Sequence, residues 1–285
     1  MRTHVKAYAK INLSLNILGV KNGYHELDSV AVTIDKYDDI VVKKRKDDKI
    51  NLTMRGLGEG LIDEVDNNAY KAAKLFKETF STSGMDITIT KRIPLSGGLG
   101  GSSADIAGVL KALKIQFDVE EDVKPLADRL GSDSGYLLSG GFARINGRGE
   151  HVEKIDGQTD FWVVLIYEDS GVNTAQCFSR YDDMEKVYKR SDNDELVKAI
   201  EDGDIIKISK QVANDLALPA CSLNEKVSKN LKALEDLTPL CASVSGSGST
   251  TFAIFENKEF ALWAVDRLKK QGYDAEAVQT IHRIK

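Results

Sequence analysis

The sequence predicts an α+β protein built from two domains. Three patterns lead to this prediction: an alternating segment near the N-terminus, helical spacing of apolar residues further along, and a strand–helix–strand order at the end. The chain has 285 residues, and at about 150 residues per domain this length corresponds to two domains. The predicted boundary divides the chain into residues 1–155 and 156–285.

The first domain mixes strand and helix patterns. Residues 4–18 place apolar side chains at every second position with polar side chains between them, which predicts a half-buried strand. Asn22-Gly23 follows, and this dipeptide is a strong hairpin signal. Further strands are predicted at residues 29–34, 39–43 and 85–90, and helices at residues 67–80, 104–113 and 120–130.

The second domain begins with a buried strand. Phe161 to Tyr167 is the longest apolar run of the chain, and seven residues are too few to cross a membrane. A strand is predicted at residues 251–255, a helix at 258–270 and a strand at 274–281. This order is typical of a split β-α-β core.

Composition and charge exclude several classes of protein. Hydrophobic residues make up 42% and charged residues 29%, as in globular soluble proteins. The net charge of −5 argues against broad nucleic-acid binding. Three distant cysteines without a CxxC motif predict free thiols, and four scattered histidines predict no transition-metal site. Lysines and asparagines interrupt the first twenty residues, so we expect a cytoplasmic protein without a signal peptide or membrane partner.

A glycine-rich segment at residues 94–103 directly precedes a predicted helix. Glycines let successive N–H groups converge on one point, and the helix adds its positive end, so a phosphate is the natural ligand. The segment has no GxxxxGK[ST] motif, and Ser103 stands where GxGxxG needs its last glycine. Taken alone, it also fits a turn that only packs the helix on a sheet.

Other candidate residues are ambiguous from their own surroundings. A second Gly/Ser segment, residues 243–249, lies between apolar segments, and two such loops would suit a triphosphate. Lys10 fits a water-facing charge on an edge strand, and Asp133 fits a simple turn aspartate. Tyr24 and His25 could stack on a base and hydrogen-bond to it, or pack the preceding turn.

Together these segments resemble the GHMP kinase superfamily, whose three motif regions occur in order at residues 7–13, 94–104 and 245–249. The chain is most similar to the branch that transfers the ATP γ-phosphate to the 2-hydroxyl of 4-diphosphocytidyl-2-C-methyl-D-erythritol, in the non-mevalonate isoprenoid precursor pathway. Four segments carry this closer similarity: residues 23–28, 147–150, 171–178 and 214–216. The resemblance implies a two-lobed GHMP kinase fold, with an N-terminal domain like the second domain of ribosomal protein S5 and a ferredoxin-like C-terminal domain.

The resemblance also implies roles for individual residues. Asp133 would accept the hydroxyl proton, and Lys10 would orient the hydroxyl and offset negative charge. ATP and Mg²⁺ are the implied cofactors, with Mg²⁺ bridging the phosphates and no side chain assigned as its ligand. The implied ATP site is Asn67 on the adenine side and, around the phosphates, Gly97, Gly98, Leu99, Gly100, Gly101, Ser102 and Ser103. The implied substrate site is Asn12, Tyr24, His25, Lys91, Thr174 and Phe178.

In that substrate site, Tyr24 and Phe178 would sandwich the cytosine of a cytidine diphosphate-linked polyol, and His25 would contact the edge of the base. Two alternatives remain open. Another GHMP kinase, acting on homoserine, mevalonate or a sugar, would not need these aromatic groups. A non-catalytic nucleotide-binding paralogue would fit Ser134-Gly135, which stands where the family has Val-Pro, but it would not need both Lys10 and Asp133.

Overall fold

The computed structural model describes residues 2–61, 63–184 and 190–282. In these residues the backbone forms eleven strands and ten α-helices, which pack as two compact units. The first unit comprises Met1–Ala9, Lys36–Leu95 and Gly100–Ser139, and the second comprises Lys10–Asp35, Ser96–Leu99 and Gly140–Lys285. The predicted α+β class is confirmed.

The bounds of the elements follow the chain order. The strands are β1 (Arg2–Lys21), β2 (Tyr24–Lys44), β3 (Ile50–Gly56), β4 (Met85–Lys91), β5 (Phe142–Gly147), β6 (His151–Ile155), β7 (Trp162–Ile166), β8 (Ala213–Asn214), β9 (Cys241–Val244), β10 (Thr251–Phe255) and β11 (Ala275–Ile281). The helices are α1 (Asn68–Phe80), α2 (Gly101–Phe117), α3 (Lys124–Asp128), α4 (Ser134–Ser139), α5 (Thr174–Asp183), α6 (Asn193–Glu201), α7 (Ile205–Gln211), α8 (Ala217–Leu223), α9 (Glu225–Glu235) and α10 (Lys258–Lys270). In the described part of the chain, no helix is long and apolar enough to cross a membrane.

Two long strands open the chain, and the predicted turn joins them. Asn22 and Gly23 have φ angles of +53° and +77°, as a two-residue hairpin turn of type I′ requires. The prediction of separate strands at 29–34 and 39–43 is wrong, because β2 is continuous. Its polar middle stays extended because the buried Asp38 carboxylate accepts hydrogen bonds from the N–H groups of Arg92 and Ile93.

The first unit combines a small sheet with a pair of helices. β4 pairs in parallel with β3 and antiparallel with the second half of β2. α2 approaches β1 and β2 so closely that a Cβ on Gly108 would lie 2.8 Å from the Ala7 Cβ and 2.5 Å from the Ile40 Cδ1. Glycine is therefore required at this crossing.

Two predictions in the first unit need correction. β3 is missing from the predicted strands, although Ile50, Leu52 and Met54 alternate with polar residues there. The helix predicted at 120–130 is reduced to α3, which begins at Lys124 with Pro125 in its first turn. Proline lacks an N–H and is tolerated in a helix chiefly at this position.

The second unit is organised around an antiparallel sheet. Its strands lie in the order β2, β11, β7, β10 and β9, with the first half of β2 at one end. α9 and α10 bury their apolar faces on this sheet, where Leu234 and Leu268 are fully buried. β10, α10 and β11 confirm the strand–helix–strand order. β5 pairs with β2 and β6, and β1 pairs in parallel with β8.

Candidate active site

The two Gly/Ser segments predicted from the sequence lie side by side in the second unit. The Ser245 hydroxyl donates a hydrogen bond to the Gly98 carbonyl oxygen at 3.0 Å, and the Thr250 N–H donates to the Gly97 carbonyl oxygen at 3.2 Å. Gly98 has a φ of +74°, and a Cβ at this residue would collide with the Ser245 carbonyl oxygen. Only glycine allows the two backbones to meet in this way.

The glycine-rich segment then ends in the N-terminus of α2. Gly100 is left-handed, with a φ of +72°, and no described side chain caps the helix that follows. The N–H groups of the first turn of a helix have no intrahelical acceptor and carry the positive end of the helix dipole. On this helix they belong to Gly101, Ser102 and Ser103. This helix end is therefore suited to a phosphate.

Lys10 lies inside the second unit, next to the glycine-rich segment. Its backbone N–H donates to the Leu99 carbonyl oxygen at 3.0 Å, and its ammonium donates to Asn12 Oδ1 at 2.6 Å. Asn12 Nδ2 donates in turn to the Ser29 hydroxyl at 2.9 Å. Lys10 and Asn12 are each 6% exposed. The interpretation of Lys10 as a water-facing edge charge is therefore excluded.

Side chains from two further elements hold the second Gly/Ser segment. Asn214 Nδ2 donates to the carbonyl oxygens of Val244 and Gly246, both at 2.8 Å. The hydroxyls of Thr174 and Ser247 are hydrogen-bonded at 2.9 Å. The structure therefore brings the predicted substrate residue Thr174 to this loop.

The predicted aromatic residues form one stacked ring pair and one cation–π pair in the second unit. The rings of His25 and Phe178 stack with centroids 4.7 Å apart, and His25 Nε2 lies 2.9 Å from Asp182 Oδ1. The Tyr24 ring lies under the Arg148 guanidinium, 3.6 Å from its centre, and Tyr24 is 53% exposed. The Phe178 ring therefore has the His25 imidazole as a neighbour, and the Tyr24 ring has the Arg148 guanidinium.

Asn67 and Asp133 lie at helix starts in the first unit. Asn67 is the N-cap of α1, and its Oδ1 accepts a hydrogen bond from the Ala69 N–H at 2.8 Å. The carbonyl oxygen of the half-buried Asp133 accepts from the Leu137 N–H at 3.0 Å, directly before α4. The Asn67 side chain therefore already caps α1 with one lone pair of Oδ1, which leaves its amide nitrogen and the second lone pair of Oδ1 for a nucleotide.

Lys91 takes part in a buried ion cluster of the first unit rather than pointing outward. Its ammonium pairs with Asp105 at 2.7 Å and also with Asp38. Burial lowers the pKa of Lys91, but attraction by the Asp105 and Asp38 carboxylates outweighs this, so that the net pKa is raised. These protein partners are the physical reason to reassign Lys91 from substrate contact to the interior of this unit.

Burial raises the pKa of Asp105 from 3.8 to about 7. Pairing with Lys91 opposes the shift, and the second carboxylate, Asp38, adds to it. The folded protein therefore holds a proton on Asp105 at pH values where the unfolded chain has lost it.

We expect this group to make the protein less stable as the pH rises. Between pH 3.8 and about 7 the folded state binds more protons than the unfolded state, so the free energy of unfolding falls with increasing pH. Asp105→Asn removes the titration. Urea denaturation at several pH values measures the unfolding free energy of each protein. The wild-type value minus the variant value should fall as the pH rises from 3.8 to about 7. A constant difference would contradict the assignment.

Four polar partners in these arrangements were not predicted. Asp38 and Asp105 have no local sequence signal, because their partner Lys91 is distant in the chain. Asp182 belongs to a charged segment of the kind that usually faces solvent. Arg148 lies in residues 147–150, which carry part of the family resemblance. Of the four partners, it is therefore the one that the sequence could have indicated.

Two family models match the chain: "GHMP kinases N terminal domain" over residues 67–142 and "GHMP kinases C terminal" over residues 196–274. A curated relative, the 4-diphosphocytidyl-2-C-methyl-D-erythritol kinase of Clostridium beijerinckii, is 35% identical over an alignment of 283 residues that covers 97% of this chain and 99% of the relative. The enzyme of the same name from Caldicellulosiruptor saccharolyticus is 35% identical over an alignment of 270 residues that covers 93% of this chain and 92% of the relative.

Solved structures show the same similarity. A crystal structure of 4-(cytidine 5'-diphospho)-2C-methyl-D-erythritol kinase superposes with a TM-score of 0.81 at 28% identity, covering 97% of this chain and 98% of that one. A homoserine kinase from Cytophaga hutchinsonii gives a TM-score of 0.73 at 19% identity, over 98% and 94% of the two chains. This second match shows a shared fold. The fold expected from the resemblance is confirmed.

Proposed function

We propose that this chain, which belongs to the 4-diphosphocytidyl-2-C-methyl-D-erythritol kinase family of the GHMP kinases, transfers the γ-phosphate of ATP to the 2-hydroxyl of 4-diphosphocytidyl-2-C-methyl-D-erythritol. The reaction serves the non-mevalonate route to isoprenoid precursors. Beyond family membership, one observation carries the proposal. The buried Lys10–Asn12 pair is hydrogen-bonded to a glycine-rich segment, and that segment is itself bonded to the second Gly/Ser loop.

The reaction is an in-line phosphoryl transfer. The 2-hydroxyl oxygen attacks the γ-phosphorus, the bond from this phosphorus to the β–γ bridging oxygen breaks, and ADP leaves. In this proposal Asp133 accepts the hydroxyl proton. Lys10 orients the hydroxyl and offsets the negative charge that develops on the transferred group. The 2.6 Å hydrogen bond to Asn12 supports this role because it fixes the position of the ammonium.

ATP is held mainly by backbone N–H groups in this proposal. The segment from Gly97 to Ser103 surrounds the phosphates, and the uncapped N-terminus of α2 faces the negative charge. Asn67 contributes its side-chain amide on the adenine side, where Oδ1 can accept a second hydrogen bond while it caps α1.

Mg²⁺ accompanies ATP in this proposal and neutralises charge on its phosphates. Within the described residues no three His, Cys, Asp or Glu side chains form a ready-made cation site. Mg²⁺ needs no such cluster, because it usually keeps several waters and takes few protein ligands beside the substrate phosphates. The hydroxyls of Ser102 and Ser103, in the first turn of α2, would hold the ion beside the phosphates. The Ser102 hydroxyl accepts a 2.9 Å hydrogen bond from Asn68 Nδ2, which orients it.

The cytidine part of the acceptor is recognised by the aromatic residues in this proposal. Tyr24 and Phe178 offer ring faces to the cytosine, and His25, oriented by Asp182, hydrogen-bonds to its edge. Asn12 and Thr174 contact the same substrate. This aromatic group favours a base-containing acceptor over homoserine, mevalonate or a simple sugar, whose recognition needs no stacking.

The proposed function is tested by ADP release with purified protein, ATP, Mg²⁺ and 4-diphosphocytidyl-2-C-methyl-D-erythritol. We expect release that needs the acceptor, and we expect the acceptor to gain one phosphate by mass spectrometry. Homoserine and mevalonate serve as controls and should give no release above the background without acceptor. Tight ATP binding without turnover would instead support the non-catalytic paralogue.

Stacking by Tyr24 predicts a selective effect on the acceptor. Stacking of a base on an aromatic ring is worth about 1–3 kcal/mol, so Tyr24→Ala should raise the acceptor KM about fivefold to 150-fold. The KM for ATP should stay within about twofold. Tyr24→Phe keeps the ring and should behave like wild type. Equal effects of Tyr24→Ala on both KM values would rule out the stacking role.

The sequence-based expectations on location and partners stay part of the proposal. We propose a cytoplasmic enzyme that acts on a small-molecule substrate, without nucleic-acid or membrane partners.

Cys177, Cys221 and Cys241 form no disulfide in the described part of the chain. Burial raises the pKa of the Cys177 thiol to about 12, so this thiol stays protonated at neutral pH. The division of the chain after residue 155 also remains a prediction.

A further inference from the structure

We propose that Lys91, Asp38 and Asp105 form a clasp that holds the two ends of the phosphate loop, residues 92–100, in position for ATP. This proposal rests on the proposed function, which assigns the loop to the phosphates. Lys91 is then a positioning residue that acts through the backbone of the loop. We call these three side chains the loop clasp.

The clasp fixes the residues that enter the loop. β4 ends at Lys91, and the next two backbone N–H groups, of Arg92 and Ile93, donate to Asp38 Oδ1 at 2.5 and 2.9 Å. The other oxygen of Asp38 pairs with the Lys91 ammonium. One fully buried carboxylate therefore binds both the last side chain of the strand and the first backbone groups of the loop.

The clasp also fixes the helix that leaves the loop. Asp105 lies one turn into α2, and its Oδ2 accepts a hydrogen bond from the Lys91 ammonium at 2.7 Å. A Cβ on Gly101, the first residue of α2, would lie 3.5 Å from that ammonium and 3.1 Å from the Ile93 Cγ2. The start of the helix therefore rests directly on the clasp and on the entering end of the loop.

The physical case for a positioning role comes from charge and chain flexibility. Lys91 is 3% exposed and Asp105 is 6% exposed, and buried ion pairs are a poor source of stability compared with apolar packing. They do impose a defined geometry. The loop between the two ends contains Gly97, Gly98 and Gly100, which makes it costly to order. Fixing both ends reduces the freedom that ATP must remove when it binds.

The test is direct ATP binding by titration calorimetry, without acceptor, combined with KM and kcat for both substrates. Lys91→Met and Asp105→Ala should weaken ATP binding about tenfold or more, with the acceptor KM within twofold. Asp105→Asn keeps an acceptor oxygen and should stay within threefold of wild type. Thr3→Val is the matched control: it breaks the buried hydrogen bond of Thr3 to Gln116 near the other end of α2. It should lower the melting temperature and leave ATP binding unchanged.

Asp38→Asn separates positioning from direct contact with ATP, because it keeps the Lys91 ammonium and weakens only the clasp. Weaker ATP binding by this variant supports the clasp. Unchanged or tighter binding would overturn it, as would a folded Lys91→Met protein with wild-type affinity for ATP. If Lys91→Met does not fold, the comparison of Asp105→Ala with Asp105→Asn decides. ATP binding needs no acceptor, so a failure of the proposed phosphotransfer would be seen separately in the ADP assay.

Discussion

Asp133→Asn is expected to lower kcat by about a hundredfold to ten-thousandfold, the usual contribution of a positioned general base. The amide keeps the shape of the carboxylate but cannot accept the hydroxyl proton. ATP binding should stay within about twofold, because phosphate recognition is assigned to backbone N–H groups. The measurement is steady-state kinetics together with calorimetric ATP binding.

The control for this substitution is Asp48→Asn in the same unit. The Asp48 side chain is 89% exposed and makes an ion pair with Lys77 at 3.6 Å. Its loss should leave kcat unchanged. If Asp133→Asn keeps more than a tenth of the wild-type kcat, Asp133 is not the base, and the proton must leave by another route.

Lys10→Met is expected to reduce kcat/KM for phosphotransfer by about a hundredfold or more, as expected for the loss of a charged group that stabilises the transition state. Lys10 is buried, and charge interactions are stronger away from water. The variant also leaves Asn12 Oδ1 without the ammonium that donates to it. We therefore expect a moderate loss of stability as well, which a melting curve would measure.

Lys21→Met, also on β1, is the control for both expected effects of Lys10→Met, the loss of activity and the loss of stability. The Lys21 side chain is 70% exposed, and exposed ion pairs contribute little to stability. This variant should match wild type in both activity and melting temperature. If a folded Lys10→Met protein turns over like Lys21→Met, the assignment of Lys10 to catalysis is refuted.

Local sequence signals predicted the elements that local chemistry determines. Asn22-Gly23 became the turn because both residues can adopt positive φ angles. Helical spacing located α1, and Asn67 precedes it as the N-cap. The order β10, α10, β11 followed from apolar periodicity alone. In each case the deciding interactions lie within a few residues of one another.

Interactions between distant residues could not be predicted in this way. Lys91 is 53 positions from Asp38, and nothing near either residue indicates the pairing. The same pairing explains the wrong break in β2, since the polar residues near Asp38 look like a turn until their partners are known. Lys10 could be interpreted as a surface charge for the same reason. Its burial depends on a loop almost ninety residues further along the chain.

The close approach of Gly98 to Ser245 has a consequence for inhibitor design and resistance. Any side chain at position 98 would collide with the Ser245 carbonyl oxygen, and the positive φ of Gly98 disfavours other residues independently. A mutation there should disrupt the loop itself, so resistant variants at this position would lose fitness. An inhibitor that binds the backbone of this crossing would contact atoms that point mutation cannot replace.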